Sequence, residues 1–521
     1  MARAQGSESS QKYTPVDKFI AIGIDFGTTY SGVSWASSEA WANSQQNIIY
    51  IHDVMNWPQE AGHMSEVQVP TLIDPDQPEK WGMLCLPAGS NPIKWLKLLL
   101  LNEADLIDDV KMSKQFEDAR RRLVESKEYG FLGVVGLIAQ FLEHIWRHAL
   151  KKIANNYEGP LNLPLKVAIG VPAMWKPEIK ERMKRAAILA GITDTRYGAG
   201  GIGHRTTLCF VEEPEAAAAW TLREQSHTKS MIIGDSFIVC DCGGGTVDAI
   251  TYVVKSTAPF RAQAGTQGRV GLCGGFLIDQ AFVAYLKSSM VSQKFKFSRC
   301  SDEEFRIFFN SQWDWTLKRE LHPDNFTPEP PKNYPFTPPA GALSLTWKDS
   351  LRLKRTGETP KLWLERGVVK RFFNDTVKGV QLLIDQQLDL AKEAGLATPR
   401  DIFVVGGLGG SEYLRHQLEL LHDIRAPENL RSPKNSWSAV ARGAVLMLLE
   451  EGISPALDPQ LNRNVIFSGK TELGLKMAWN VNEGQSTDKN APEPQDFYLD
   501  FDKTDQEGLN VKVHVNVSYH R

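Results

Sequence analysis

The chain has 521 residues, 42% hydrophobic and 23% charged, with a formal net charge of −3. That balance suits a globular protein of about two to four domains and lacks the basic excess of a nucleic-acid or anionic-membrane binder. Six cysteines in so long a chain do not make a disulfide framework, so a reducing compartment, cytoplasm or nucleus, is expected.

Residues 1–17 are polar and read as a disordered lead, neither signal peptide nor anchor. The longest apolar stretches, 96–101 and 131–142, fall short of the roughly 20 residues a membrane-spanning helix needs, so no span is expected. Phe19–Ile24 is an apolar lead into Asp25-Phe26-Gly27-Thr28-Thr29, after which a strand resumes over Tyr30–Trp35. Val167–Val171 is a short buried strand ending at Pro172, and Pro177 opens a helix that stops at Gly191. Pro214 opens another helix through Ala216–Ala219, and polar Arg223–Ser230 reads as a connection.

Phe237–Cys240 then leads into Asp241-Cys242-Gly243-Gly244-Gly245-Thr246, with a strand over Val247–Val254. The pattern of the first turn is repeated: apolar lead, acid, glycine turn, threonine, strand. The proline-rich stretch His322–Ala342 is expected to be an extended surface loop. Ile402–Val405 is a buried strand followed at once by Gly406-Gly407. From about residue 455 the pattern changes to period two, over Leu473–Val481 and Leu509–Tyr519, which predicts a small antiparallel β unit appended to a layered α/β core.

Two such turns point to phosphate chemistry. Glycine lets backbone N–H groups approach an anion, and threonine hydroxyls can donate to phosphate oxygens. Asp25 and Asp241, brought face to face, would repel unless a cation lay between them. Magnesium suits that place because it takes oxygen ligands, keeps waters and bridges phosphates. Each turn alone reads as an ordinary hairpin; the repeat changes the odds. Cys240 and Cys242 read as packing residues, and His144 with His148 as a surface pair without a third metal ligand.

The ordered motifs resemble the nucleotide-binding region of the heat shock protein 70 family, within the actin-like ATPase and sugar-kinase superfamily. The turns are similar to its two phosphate motifs, Ile24–Ser31 and Val239–Asp248. Phe403–Ser411 is similar to its adenosine motif, and Val211–Ala218 and Ala439–Val445 to its two connecting motifs. The likeness runs over roughly residues 18–450 and is nearest to a divergent, lid-less branch of the family: only about 70 residues follow the core, too few for a peptide-binding β-sandwich and helical lid.

The resemblance implies two ribonuclease-H-like lobes, 18–228 and 229–450, the last helix returning toward the first lobe, with a β tail over 455–521. It implies ATP or ADP with Mg2+ in the cleft. Asp25 and Asp241 would hold hydrated magnesium, Glu213 would position or deprotonate the attacking water, and Thr246 would meet the terminal phosphate or that water. Gly27, Thr28, Thr29, Tyr30, Gly243, Gly244, Gly245, Gly274 and Gly275 would line the nucleotide, as would Gly406 and Gly407 on the adenosine side. Lys94 aligns best with the family's active-site lysine, with Lys97 as the other candidate. Lys318 and Arg319 resemble its adenosine-side basic pair. Gly410 and Trp437 stand where typical members carry a base-stacking arginine and an acid.

The function expected is a slowly hydrolysing ATPase that couples nucleotide state to lobe closure and to a protein client or signalling partner. A nucleotide-binding scaffold without turnover is the main alternative, and a metabolite kinase on the same fold is the third.

Overall fold

The computed structural model describes residues 18–451 except 45, 60–66, 86–89, 127–132, 157–162, 194–205, 226–230, 258–259, 289–294, 324–329, 345–350, 352–353 and 423–428. Beyond 451 it describes four short strands, Ile466–Lys470 paired antiparallel with Lys476–Asn480, and Tyr498–Asp500 with His514–Asn516. The remainder of the expected β tail, and the expected disordered lead over 1–17, lie outside the described residues.

Two large mixed sheets dominate. The first contains β1 (Ile20–Phe26), β2 (Tyr30–Ser37), β3 (His52–Asp53), β4 (Gln68–Pro70), β5 (Leu165–Val171) and β6 (Thr206–Glu212). Its order is β3-β2-β1-β5-β6, with β4 also on β2. The second begins with β7 (Ser236–Cys242), β8 (Val247–Thr257), β9 (Phe260–Ala264) and β10 (Arg269–Gly271). A separate antiparallel pair follows, β11 (Asn333–Phe336) with β12 (Leu362–Glu365). Then β13 (Asp401–Val405) and β14 (Asn429–Arg431) complete the order β10-β8-β7-β13-β14, with β9 on β8. In each sheet an antiparallel hairpin, β1–β2 or β7–β8, is extended by two parallel strands that need long crossovers. This α/β architecture with two large sheets fits an actin-like, two-lobe ATPase.

Period-two alternation sorts the strand side chains into cores. Ile20, Ile22 and Ile24 face one cluster with Leu137, Phe141 and Trp146 of the Gly133–Asn156 helix and Met183 of the Pro177–Leu189 helix. Ile238, Cys240, Cys242, Ile402 and Val404 face a second, with Phe282, Trp313 and Phe373. The opposite faces of both sheets, Ala21 and Ala168 from one and Phe237, Val239, Phe403 and Val405 from the other, share a third cluster. That shared layer holds two helices, Glu213–Glu224 and Ala439–Glu451.

The alanine run 216–219 is what allows so thin a layer. Where the two helices cross, a side chain on Gly443 would collide with the carbonyl of Ala216. Arg442, one residue away, reaches past the crossing to bond Asp53 with both arms, at 2.9 and 2.7 Å, and lies over the Trp220 ring.

Two expectations need correction. The proline-rich stretch is not all surface loop: Asn333–Phe336 is a strand, and Phe336 is 1% exposed in the second core. Pro335 is tolerated because this two-stranded ladder leaves its edges unpaired. His144 and His148 are not a surface pair. His144 stacks on Trp81 at 5.1 Å, His148 packs at a tilt against Trp57 at 4.8 Å, and burial holds both imidazoles below their ordinary pKa. Their ring nitrogens bond the carbonyls of Pro78 and Met55.

Candidate nucleotide site

The site grows from the two hairpin turns. Asp25 sits next to last in β1, opposite Gly32 of β2; Asp241 sits at the same place in β7, opposite Asp248 of β8. The turns meet. A side chain on Gly244 would run into the Thr29 hydroxyl, and one on Gly245 would come within 3.2 Å of Thr28. Gly27 is closed in by the Tyr30 carbonyl of its own turn.

The second turn is braced from behind. The N–H groups of Gly274, Gly275 and Phe276 donate to the carbonyls of Gly245, Gly243 and Gly244 at 3.1, 3.2 and 2.8 Å. No backbone partner takes the Gly244 and Gly245 N–H groups among the described residues. A turn with its carbonyls engaged behind and its N–H groups unengaged is built to receive an anion. Gly406 closes the site from β13. Its φ of +83° suits glycine alone, and a side chain there would strike the Asp241 carboxylate.

Glu213 opens the helix after β6 and is 6% exposed. Lys97, from the short Leu96–Leu99 helix, donates to its Oε1 at 2.6 Å. Sequence ranked Lys94 ahead of Lys97, but the structure brings Lys97 to the acids. Lys94 is exposed and lines a separate cavity of ≈ 450 Å3 with Gln115, Phe276, Asp279 and Lys287. The reason is helical: Trp95 and Leu96 turn inward and carry Lys97 with them, leaving Lys94 before the helix begins.

Charge in the cluster is unbalanced. Burial, and then the Glu213 carboxylate, push Asp25 up to about 7, although Lys97 pulls the other way. Burial, Glu213, Asp25 and Asp248 hold Asp241 well above the usual carboxylate range. Burial also raises Asp248 to about 6. Burial alone would depress Lys97, but Glu213, Asp25 and Asp248 outweigh it and keep its pKa raised. Four carboxylates facing one ammonium leave a deficit of positive charge that a divalent cation would fill.

No group of three or more His, Cys, Asp or Glu is close enough to cage a metal alone among the described residues. That suits magnesium, which is commonly held by one or two carboxylates together with waters and phosphate. Thr246 donates to Asp248 Oδ2 at 3.3 Å. Asp248 was not singled out from sequence; its signal was the hairpin register, which sets it opposite Asp241.

The residues expected on the adenosine side form a second constellation. Lys318 bridges Asp279 and Asp314 at 2.8 and 3.0 Å, and the Tyr30 hydroxyl also reaches Asp314, at 3.4 Å. Burial raises Asp279 against the pull of Lys318, while Lys318 and Arg319 overcome burial to depress Asp314. The stretch Asn310–Leu317 is a π-helix set between two α-helical segments, a device common at functional sites. Gly407 lies 3.9 Å from Gln68 Oε1 measured from a built Cβ, and the amide of Gln68 donates to the Trp437 carbonyl at 2.9 Å. Arg319 is exposed.

No helix among the described residues is long and apolar enough to cross a membrane. All six cysteines are free thiols, with Cys240 and Cys242 buried under the second turn.

No family model matches the chain. It is similar to Heat shock 70 kDa protein 12B of Homo sapiens, at 20% identity over 83% of this chain and 69% of that protein. It is similar to Heat shock 70 kDa protein 12A of Mus musculus, at 20% identity over 84% and 70%. A Chaperone protein HscA homolog of Acinetobacter baumannii is 25% identical over 59% of this chain and 43% of its own length. The duplicated sheets, the facing turns and these relatives agree: the chain is related to the heat shock protein 70 family, among the actin-like ATPases.

Proposed function

We propose that the protein binds ATP and ADP with Mg2+ and hydrolyses ATP slowly, using nucleotide state to set the closure of two lobes, 18–228 and 229–450, and so to signal to a protein partner. The observation that carries this reading is the acid cluster of Asp25, Asp241, Asp248 and Glu213 around Lys97, walled by two phosphate-type turns in contact.

Asp25 and Asp241 would hold hydrated magnesium, which when bound would neutralise charge on the transferring phosphoryl oxygens. Lys97 holds Glu213 in one orientation, where it would align a water and accept its proton. Thr246 presents its hydroxyl from the end of the glycine turn, fixed by Asp248. Thr28 and Thr29 add hydroxyls from the facing turn. Because the γ-phosphate would be gripped from both turns, its loss would release one lobe from the other.

Base recognition differs from the typical family pattern. Gly410 stands in a crowded place, where a side chain would come 2.8 Å from the Ser436 hydroxyl. The buried Ser436 Oγ and Trp437 Nε1 have no hydrogen-bond partner among the described residues. These two groups, in place of an arginine and an acid, would face the nucleoside. That departure is what favours the second reading, a nucleotide-binding scaffold without turnover.

Radiolabelled ATP turnover by the full chain tests the proposal. Turnover above background that falls about 100-fold or more in Asp25→Asn and Asp241→Asn is expected. Turnover unchanged in both variants sinks the ATPase assignment, while tight ATP binding with no turnover selects the scaffold.

A further inference from the structure

Trp95 is 1% exposed, yet its indole Nε1 has no hydrogen-bond partner among the described residues. A buried donor left without an acceptor costs about 1–3 kcal/mol, so native structures seldom keep one idle. Its backbone is also unusual. Trp95 is one of three non-glycine residues with positive φ among those described, at φ 59° and ψ 36°, a left-handed conformation that disfavours a bulky side chain.

The ring direction explains what both departures serve. A Cβ built on Gly245 would have Trp95 Nε1 at 3.7 Å and Cε2 at 3.8 Å, so the N–H edge of the indole lies against the second glycine turn. The ring is held there by an edge-on contact with Phe276, 5.4 Å between centroids, and by Leu98, Leu106, Val110 and Phe116 behind it. Two residues further on, Lys97 reaches Glu213. One short segment therefore brings an ammonium to Glu213 and an indole N–H to the second glycine turn.

We propose that the Trp95 indole N–H donates to the terminal phosphate of bound nucleoside triphosphate, making it a γ-phosphate-reading residue. This rests on the nucleotide reading above and adds to it the group that tells triphosphate from diphosphate. Trp95 precedes β5 in the chain whereas Gly245 and Phe276 follow β7, so a phosphate that takes this hydrogen bond ties the two halves of the molecule at one point. The left-handed backbone is then part of the device, since it turns the indole toward the cleft.

Titration calorimetry with a non-hydrolysable ATP analogue and with ADP, on the full chain and on Trp95→Phe, tests this. The phenyl ring keeps most of the packing and removes only the donor. The analogue is expected to bind the variant about 10- to 100-fold more weakly, as for a lost hydrogen bond to a charged group, while ADP affinity stays within about twofold. Intact ADP binding also certifies the fold of the variant. Should the variant fold poorly, nitrogen-15 indole spectra of the wild-type chain give the same answer. The Trp95 resonance, identified in the wild-type chain by its through-space contact with the Phe276 ring, is expected to shift with the analogue and not with ADP. Equal loss for both nucleotides, no loss for either, or an indole resonance that does not discriminate them overturns the inference and leaves the nucleotide reading standing. A wild-type chain that binds neither nucleotide overturns the reading and the inference together.

Discussion

The two hairpin turns share a design and differ in stiffness. The first, at 27–29, carries one glycine and two threonines; its outward tie is the Thr71 N–H, which donates to the Thr29 carbonyl at 2.8 Å. The second, at 243–246, has three glycines whose carbonyls are all bonded by the start of the Gly275–Lys287 helix, with Gly406 pressed against its aspartate. Opposite Asp25 stands Gly32, where an added methyl would meet only Gln68 at 3.7 Å; opposite Asp241 stands a second acid, Asp248. The second turn is the braced cradle and carries two facing acids, Asp241 and Asp248. The first half supplies the two threonine hydroxyls, Lys97 with Glu213, and the N–H of Trp95. A duplicated fold thus need not divide its chemistry evenly.

The sharpest break of that contrast is at the lysines. Lys97→Ala would leave Glu213 buried beside other acids without its cation, a loss of about 3–5 kcal/mol in denaturant unfolding. Lys94→Ala, at an exposed position with no ion pair among the described residues, should stay within about 0.5 kcal/mol. Equal effects would erase the distinction. Next in size come the glycines. Gly406→Ala meets both a left-handed φ and the Asp241 carboxylate, and should cost about 1–3 kcal/mol in a thermal melt with loss of nucleotide binding. Gly32→Ala, its counterpart in freedom, should change stability by about 0.5 kcal/mol or less.

The smallest effect is with pH. A carboxylate whose folded pKa is raised binds its proton more tightly folded than unfolded, so its contribution to stability falls as pH rises from the unfolded value near 4 through the folded one. For Asp248 and Asp25 those folded values are about 6 and about 7. Magnesium with nucleotide needs the ionised forms, so its stabilisation should grow between pH 5 and pH 8, by about 1 °C of melting midpoint for each kcal/mol of added binding in a chain of this length. Asp248→Asn should remove the lower part of that rise. A magnesium effect independent of pH would show that the acid cluster is not the cation site.

Much of this was legible in the residues. The strands at β1, β5, β7 and β13 announce themselves as short apolar runs bounded by glycine or proline, and both helices opened by Pro177 and Pro214 start where the proline places them. Other features were not, for physical reasons. Lys94 and Lys97 differ by less than one helical turn, and only the rotation of that turn decides which is buried. Phe336 looked like part of a loop because its prolines mask a strand that pairs with residues almost thirty positions on. The two histidines, spaced four apart, gave no hint that each had a tryptophan beneath it.

By itself the sequence determined the local devices: acid, glycine turn and hydroxyl, written twice, with alternating apolar strands to carry them. These follow from dihedral freedom and from period-two burial, which are properties of neighbours along the chain. Tertiary structure alone decided which charges share one enclosed space, that Lys97 and Asp248 join the acids, and that the Trp95 N–H faces Gly245 across about 150 residues of chain. Electrostatic and hydrogen-bond partners are fixed by distance in space, and that distance is set by how the two sheets pack on the alanine-thin pair of helices between them.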